Sequence, residues 1–117
     1  MQSKDKRAEG ELAVKAAIDA MEDSDKTIGE KLHQLITNAA PELMPRTWYG
    51  MPAYSDGNKI VCFFRNSTKF GERYLTLGFN DTANLDDGDM WPVSFAITKL
   101  STAVEDKVTR LVTQAVS

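Results

Sequence analysis

The chain has 117 residues, with 14 basic and 17 acidic side chains giving a formal charge of −3, and is 42% hydrophobic and 26% charged. That length suits one hydrophobic core rather than two, and the composition is that of an ordinary globular domain. No basic block supplies the attraction that nucleic-acid binding needs, and no apolar run approaches the ~20 residues of a membrane span, so neither nucleic acid nor membrane is expected as a partner.

The opening run Met1-Gln2-Ser3-Lys4-Asp5-Lys6-Arg7 is charged and lacks the apolar stretch of a secretory signal. It is expected to be a flexible segment over 1–11, with a single domain over 12–117 and a cytoplasmic location. From Leu12 to Met21, Val14, Ala17, Ile18 and Met21 recur at helical spacing. Asp19, Glu22 and Asp23 stand at i, i+3 and i+4, which on a continuous helix would set three carboxylates side by side. Such a ridge of hard oxygen donors could hold Fe²⁺, Mn²⁺ or Mg²⁺ weakly, with water completing the shell. The plainer account is a solvated helix end.

A second helix is expected after a break at Ser24-Asp25-Lys26-Thr27. Thr27 and Glu30 have capping-box spacing, Ile28, Leu32, Leu35, Ile36 and Ala39 form the apolar stripe, and Pro41 stops it. His33, the single histidine, falls off that stripe toward the polar flank. A surface histidine is a poor start for a nucleophile–base–orienter triad, so hydrolytic chemistry of that kind is disfavoured.

The period then becomes extended. Arg46 to Gly50 reads as a strand, Met51-Pro52-Ala53-Tyr54 as a break and resumed extension, and Asp56-Gly57 as a hairpin turn. Lys59 to Phe64 is apolar on both faces, and its Cys62, without a nearby partner for a disulfide or zinc site, reads as a small buried hydrophobe. Tyr74 to Phe79 alternates, with Leu75, Leu77 and Phe79 facing the core. Trp91 to Thr98 does the same, placing Trp91, Val93, Phe95 and Ile97 inward. Between them, Asn80 to Asp89 is a polar loop whose Asp86, Asp87 and Asp89 do not fit a calcium loop, and the isolated glycines form no phosphate-binding signature. A last helix from about Thr102, capped by Thr102 and Glu105, carries Val104, Val108, Leu111, Val112 and Ala115.

These elements predict an α+β domain. Two N-terminal helices and one C-terminal helix pack on an antiparallel sheet of four to five strands, with the opposite sheet face solvated or forming a shallow cup. The aromatic run Trp48-Tyr49-Gly50-Met51-Pro52-Ala53-Tyr54, with Trp91 downstream, offers rings around a glycine–proline bend. Trp48, Tyr49, Met51, Tyr54 and Trp91 are therefore candidate walls of a small-molecule pocket, and core packing is the plainer role for the same rings.

Ala40-Pro41-Glu42-Leu43, the Trp48 to Tyr54 run, the Asp56-Gly57-Asn58-Lys59 turn, Cys62-Phe63-Phe64 and Tyr74 to Phe79 together resemble the YdhG-like family, a domain-of-unknown-function group (family 1801). The resemblance covers about residues 12 to 117. It implies an α+β domain of the kind compared with frataxin and, from at least one member, an intracellular iron chaperone. It assigns no iron ligands. The expected function is thus non-enzymatic binding, with ferrous iron as transient cargo passed to a receiving protein and no resident cofactor. The alternative is a small-molecule module built on the aromatic run.

Overall fold

The computed structural model describes residues 2–68 and 71–117. Three helices and five strands follow in chain order: α1 (Gln2–Asp19), α2 (Asp23–Ala39), β1 (Met44–Trp48), β2 (Met51–Asp56), β3 (Lys59–Arg65), β4 (Leu75–Phe79), β5 (Ser94–Ile97) and α3 (Thr102–Ala115). The sheet is an antiparallel meander in the order β1-β2-β3-β4-β5. This is the expected α+β architecture, with all three helices on one sheet face.

Register explains that one-sidedness. Tyr54 lies opposite Cys62 and Cys62 opposite Phe79, while Phe64 meets Leu77, Leu77 meets Phe95, and Leu75 meets Ile97. Because side chains alternate along a strand, these all point to the same face. There they meet Val14 and Ile18 of α1, Leu32 and Ile36 of α2, and Val108, Val112 and Ala115 of α3 in one buried cluster. No helix among the described residues is long and apolar enough to cross a membrane.

Several boundaries differ from the sequence expectation. Helix α1 begins at Gln2 rather than Leu12, so described residues of the segment expected to be flexible are helical; residue 1 lies outside the described residues. Two long-range anchors draw this turn inward. Arg7 donates to the carbonyls of Leu43 and Pro41, and Gly10 is buried so close to β1 that an added Cβ would sit 1.9 Å from the Pro45 carbonyl oxygen. Only a residue without a side chain permits that approach.

Helix α2 starts at Asp23, a turn ahead of the expected cap. Glu22 is the N-cap residue, and Thr27, already inside the helix, donates to the Asp23 carbonyl instead of closing a capping box with Glu30. Asp23 and Asp25 in the first turn favour this start electrostatically. Helix α3 is capped by Ser101, whose hydroxyl accepts from the Val104 amide, rather than by Thr102.

The turns also move. Tyr49 and Gly50 form the β1–β2 turn, with φ of 51° and 78°. Two positive φ values match the right-handed twist of a tight hairpin, so the chain reverses before Pro52 instead of breaking at it. Pro52 pairs with Thr47 of β1, while the β3 ladder begins only at Ala53, so the missing amide interrupts no bond to β3. The β2–β3 turn is Gly57-Asn58 rather than Asp56-Gly57, and Asp56 pairs with Lys59.

Candidate functional site

The structure separates the five expected pocket residues. Tyr54 is fully buried on the helix face. Trp91 packs against the core from the loop before β5. Trp48 lies at the end of β1 on the opposite face, edge-on to Tyr49 and to Phe63, each with ring centroids 5.2 Å away. Met51 pairs with Trp48 across the turn and borders a small cleft of about 190 Å³ at the end of α1. Trp48, Tyr49 and Met51 therefore belong together, and Tyr54 and Trp91 do not join them.

Phe63 completes the outer-face group. It lies opposite Gly78, where an added Cβ would stand 2.4 Å from the Phe63 ring, so the phenyl group lies across the bare backbone of β4. This packing turns the expected small and polar face into an aromatic ledge at its β1–β2 end. Tyr49 projects from the ledge, 82% exposed and with a left-handed backbone that tyrosine rarely adopts.

The expected acidic ridge is interrupted. Asp19 closes α1, Glu22 stands at the N-cap of α2 and Asp23 opens α2, so the three are not spaced along one helix. Asp19 instead lies 3.6 Å from Lys26 and 4.0 Å from Lys15. Among the described residues no three His, Cys, Asp or Glu side chains are grouped closely enough to hold a metal ion.

A polar chain that the sequence reading missed links α1, α2 and β2. The Tyr54 hydroxyl is 2.7 Å from His33 Nδ1, and His33 Nε2 is 2.8 Å from Glu11 Oε2. With a neutral imidazole, the arrangement that satisfies every group has Tyr54 donating to Nδ1 and Nε2–H donating to the Glu11 carboxylate. Tyr54 is held well above its ordinary pKa, first by burial, then by repulsion from the charge Cys62 would carry on ionising and from the Glu11 carboxylate, so its hydroxyl stays protonated as that donor. The chain thereby fixes the imidazole, and the imidazole fixes one oxygen of Glu11.

Glu11 and His33 open into a cleft of about 450 Å³ between α1 and α2, bordered also by Leu12, Lys15, Ile18, Asp19, Glu30 and Gln34. Three carboxylates border it with Lys15, and Lys26 lies 3.6 Å from Asp19, so the surplus negative charge rests on Glu11 and Glu30 and favours a cation there. Its signal in the sequence was weak. Glu11 precedes the expected helix, and the periodicity of α2 places His33 without showing the strand residue beneath it.

Two further groups settle into structural roles. Cys62 is buried, and burial pushes its thiol up to about 12, which makes it an unreactive hydrophobe. Asp25, also buried, accepts from the Ser67 amide and hydroxyl and the Thr68 amide and hydroxyl, tying the start of α2 to the turn after β3.

Compared with family models, curated proteins and solved structures, the chain matches none.

Proposed function

We propose that this protein is a non-enzymatic binder of the YdhG-like type that carries a divalent cation, ferrous iron foremost, loosely in the α1–α2 cleft. The observation that carries this reading is the Glu11 carboxylate, oriented through His33 by a buried tyrosine in a cleft also lined by Asp19 and Glu30. A metal-binding carboxylate that is itself hydrogen-bonded is held at the right angle before the ion arrives. Glu11 is the direct ligand here, Asp19 and Glu30 act through bound water, and the remaining positions are aqueous. So few protein ligands give weak, reversible retention, which suits delivery of iron to a receiving protein in the cytoplasm. Glu22 and Asp23 have no part in this site.

Anaerobic Fe²⁺ titration followed by NMR tests it. Paramagnetic broadening is expected first around Glu11, Asp19, Glu30 and His33, and Glu11→Gln is expected to weaken binding at least about tenfold. Broadening centred on Asp86 to Asp89, or an unchanged titration of the Glu11→Gln variant, would remove this reading.

The aromatic ledge supports a second reading, a small planar ligand stacked on Trp48 and Tyr49 beside Met51. Its specific support is Tyr49, where an exposed ring and a left-handed backbone coincide. A fragment screen watched through Trp48 fluorescence and Tyr49 to Met51 amide shifts decides it, and silence at those residues is the contrary result.

A further inference from the structure

We infer that β5 is a self-pairing edge through which two copies of this chain join their sheets into one. The topology leaves β5 with a neighbour on one side only, β4. The Phe79 amide donates to the Val93 carbonyl at 2.7 Å, and the ladder continues with Leu77 opposite Phe95 and Leu75 opposite Ile97. Since antiparallel pairs alternate between bonded and non-bonded, the main-chain groups of Val93, Phe95 and Ile97 turn toward β4. Those of Ser94 and Ala96 turn outward, and both residues are exposed.

The occupant follows from the order of residues along this edge. Val93-Ser94-Phe95-Ala96-Ile97 reads alike in both directions by type: β-branched, small, aromatic, small, β-branched. A second β5 running antiparallel about a two-fold axis at Phe95 sets Ser94 opposite the other copy's Ala96. Both residues carry outward-facing main-chain groups, so about four inter-chain hydrogen bonds form. The same register places Phe95 against Phe95 and Val93 against Ile97, all on the helix face of the joined sheet.

That pairing accounts for two features that the isolated chain leaves unexplained. Val93 is 44% exposed although it continues the apolar alternation of β5, and its pairing with Ile97 of the other copy covers it. Strand β5 itself carries no proline or charge of the kind that blunts free edges, these standing only at its flanks in Pro92 and Lys99, and Lys107 Nζ sits 5.8 Å from the Phe95 ring centroid.

Sedimentation velocity from about 10 µM to about 1 mM should show a reversible monomer–dimer equilibrium. In a mixed-label sample, isotope-filtered NOEs should join Val93 of one copy to Ile97 of the other. Ala96→Pro deletes an amide that β4 does not use, and Val93→Lys places a charge opposite Ile97. Each should raise the dimer Kd at least about tenfold while the β4 amides stay protected. A chain that stays monomeric throughout, or a dimer indifferent to both substitutions, overturns the proposal.

Discussion

The Asp25 carboxylate and Ser67 meet across 42 residues of sequence, with the Ser67 amide and hydroxyl each donating at 2.9 Å. This buried bridge fastens the first turn of α2 to the chain leaving β3. Asp25→Ala would orphan the Ser67 and Thr68 donors together, so a loss of about 3 kcal/mol in urea unfolding is expected, with Ser67→Ala costing less. Hydrogen exchange should show the residue 66–68 amides opening in Asp25→Ala before the global transition.

Tyr54 and Cys62 make the fold sensitive to alkali. Both hold their protons more tightly in the folded chain than in the unfolded one, Cys62 with a pKa of about 12 against an ordinary 9.0. Over that range the unfolded chain ionises first, so rising pH draws the equilibrium toward it. Below about pH 9 neither group changes stability. From pH 9 upward the unfolding free energy measured with urea should fall, by roughly 1 kcal/mol per pH unit for Cys62 and further above pH 10 as Tyr54 joins. Cys62→Val should remove the loss that begins at pH 9 and leave the later one.

Tyr54→Phe removes the hydroxyl that positions His33. A modest destabilisation of about 1 kcal/mol is expected, since the imidazole can turn its freed Nδ1 toward water. The informative signal is the His33 Nδ1 ¹⁵N shift, which should move as Nδ1 exchanges the tyrosine hydroxyl for water while Nε2–H stays tied to Glu11. Under the binding proposal Fe²⁺ affinity falls as well.

The two close-packed glycines should respond differently to an added methyl group. At Gly10 the obstacle is the Pro45 carbonyl in the backbone of β1, so Gly10→Ala must push α1 off the sheet and should cost about 3 kcal/mol. At Gly78 it is the Phe63 ring, which is half-buried and can swing outward. Gly78→Ala should cost nearer 1 kcal/mol, and in a Phe63→Leu background less again, a coupling readable from a double-mutant cycle.

Periodicity carried the architecture into the sequence. The stripes of Leu32 and Ile36 and of Val108 and Val112, and the alternation of Leu75, Leu77 and Phe79, each report burial on a single element, and all of these residues lie in the core. Turn positions were less legible. A tyrosine at positive φ follows no propensity rule, so the sequence hides the Tyr49-Gly50 reversal and signals a break at Pro52 instead. The polar links were hidden for a different reason. His33 to Glu11 and Asp25 to Ser67 join residues 22 and 42 positions apart, and a residue read on its own helix does not reveal what the sheet brings beneath it. The acidic ridge erred where it assumed one continuous helix through Ala20 and Met21.

The meander order of the sheet governs how quickly the chain can find its fold. Each ladder joins strands adjacent in sequence, and the first two close over two-residue turns at Tyr49-Gly50 and Gly57-Asn58, so little chain entropy opposes their zippering. The β4–β5 ladder must instead close across the loop at 80–93, which makes docking of β5 the slowest closure and leaves its edge bare longest in a newly made chain.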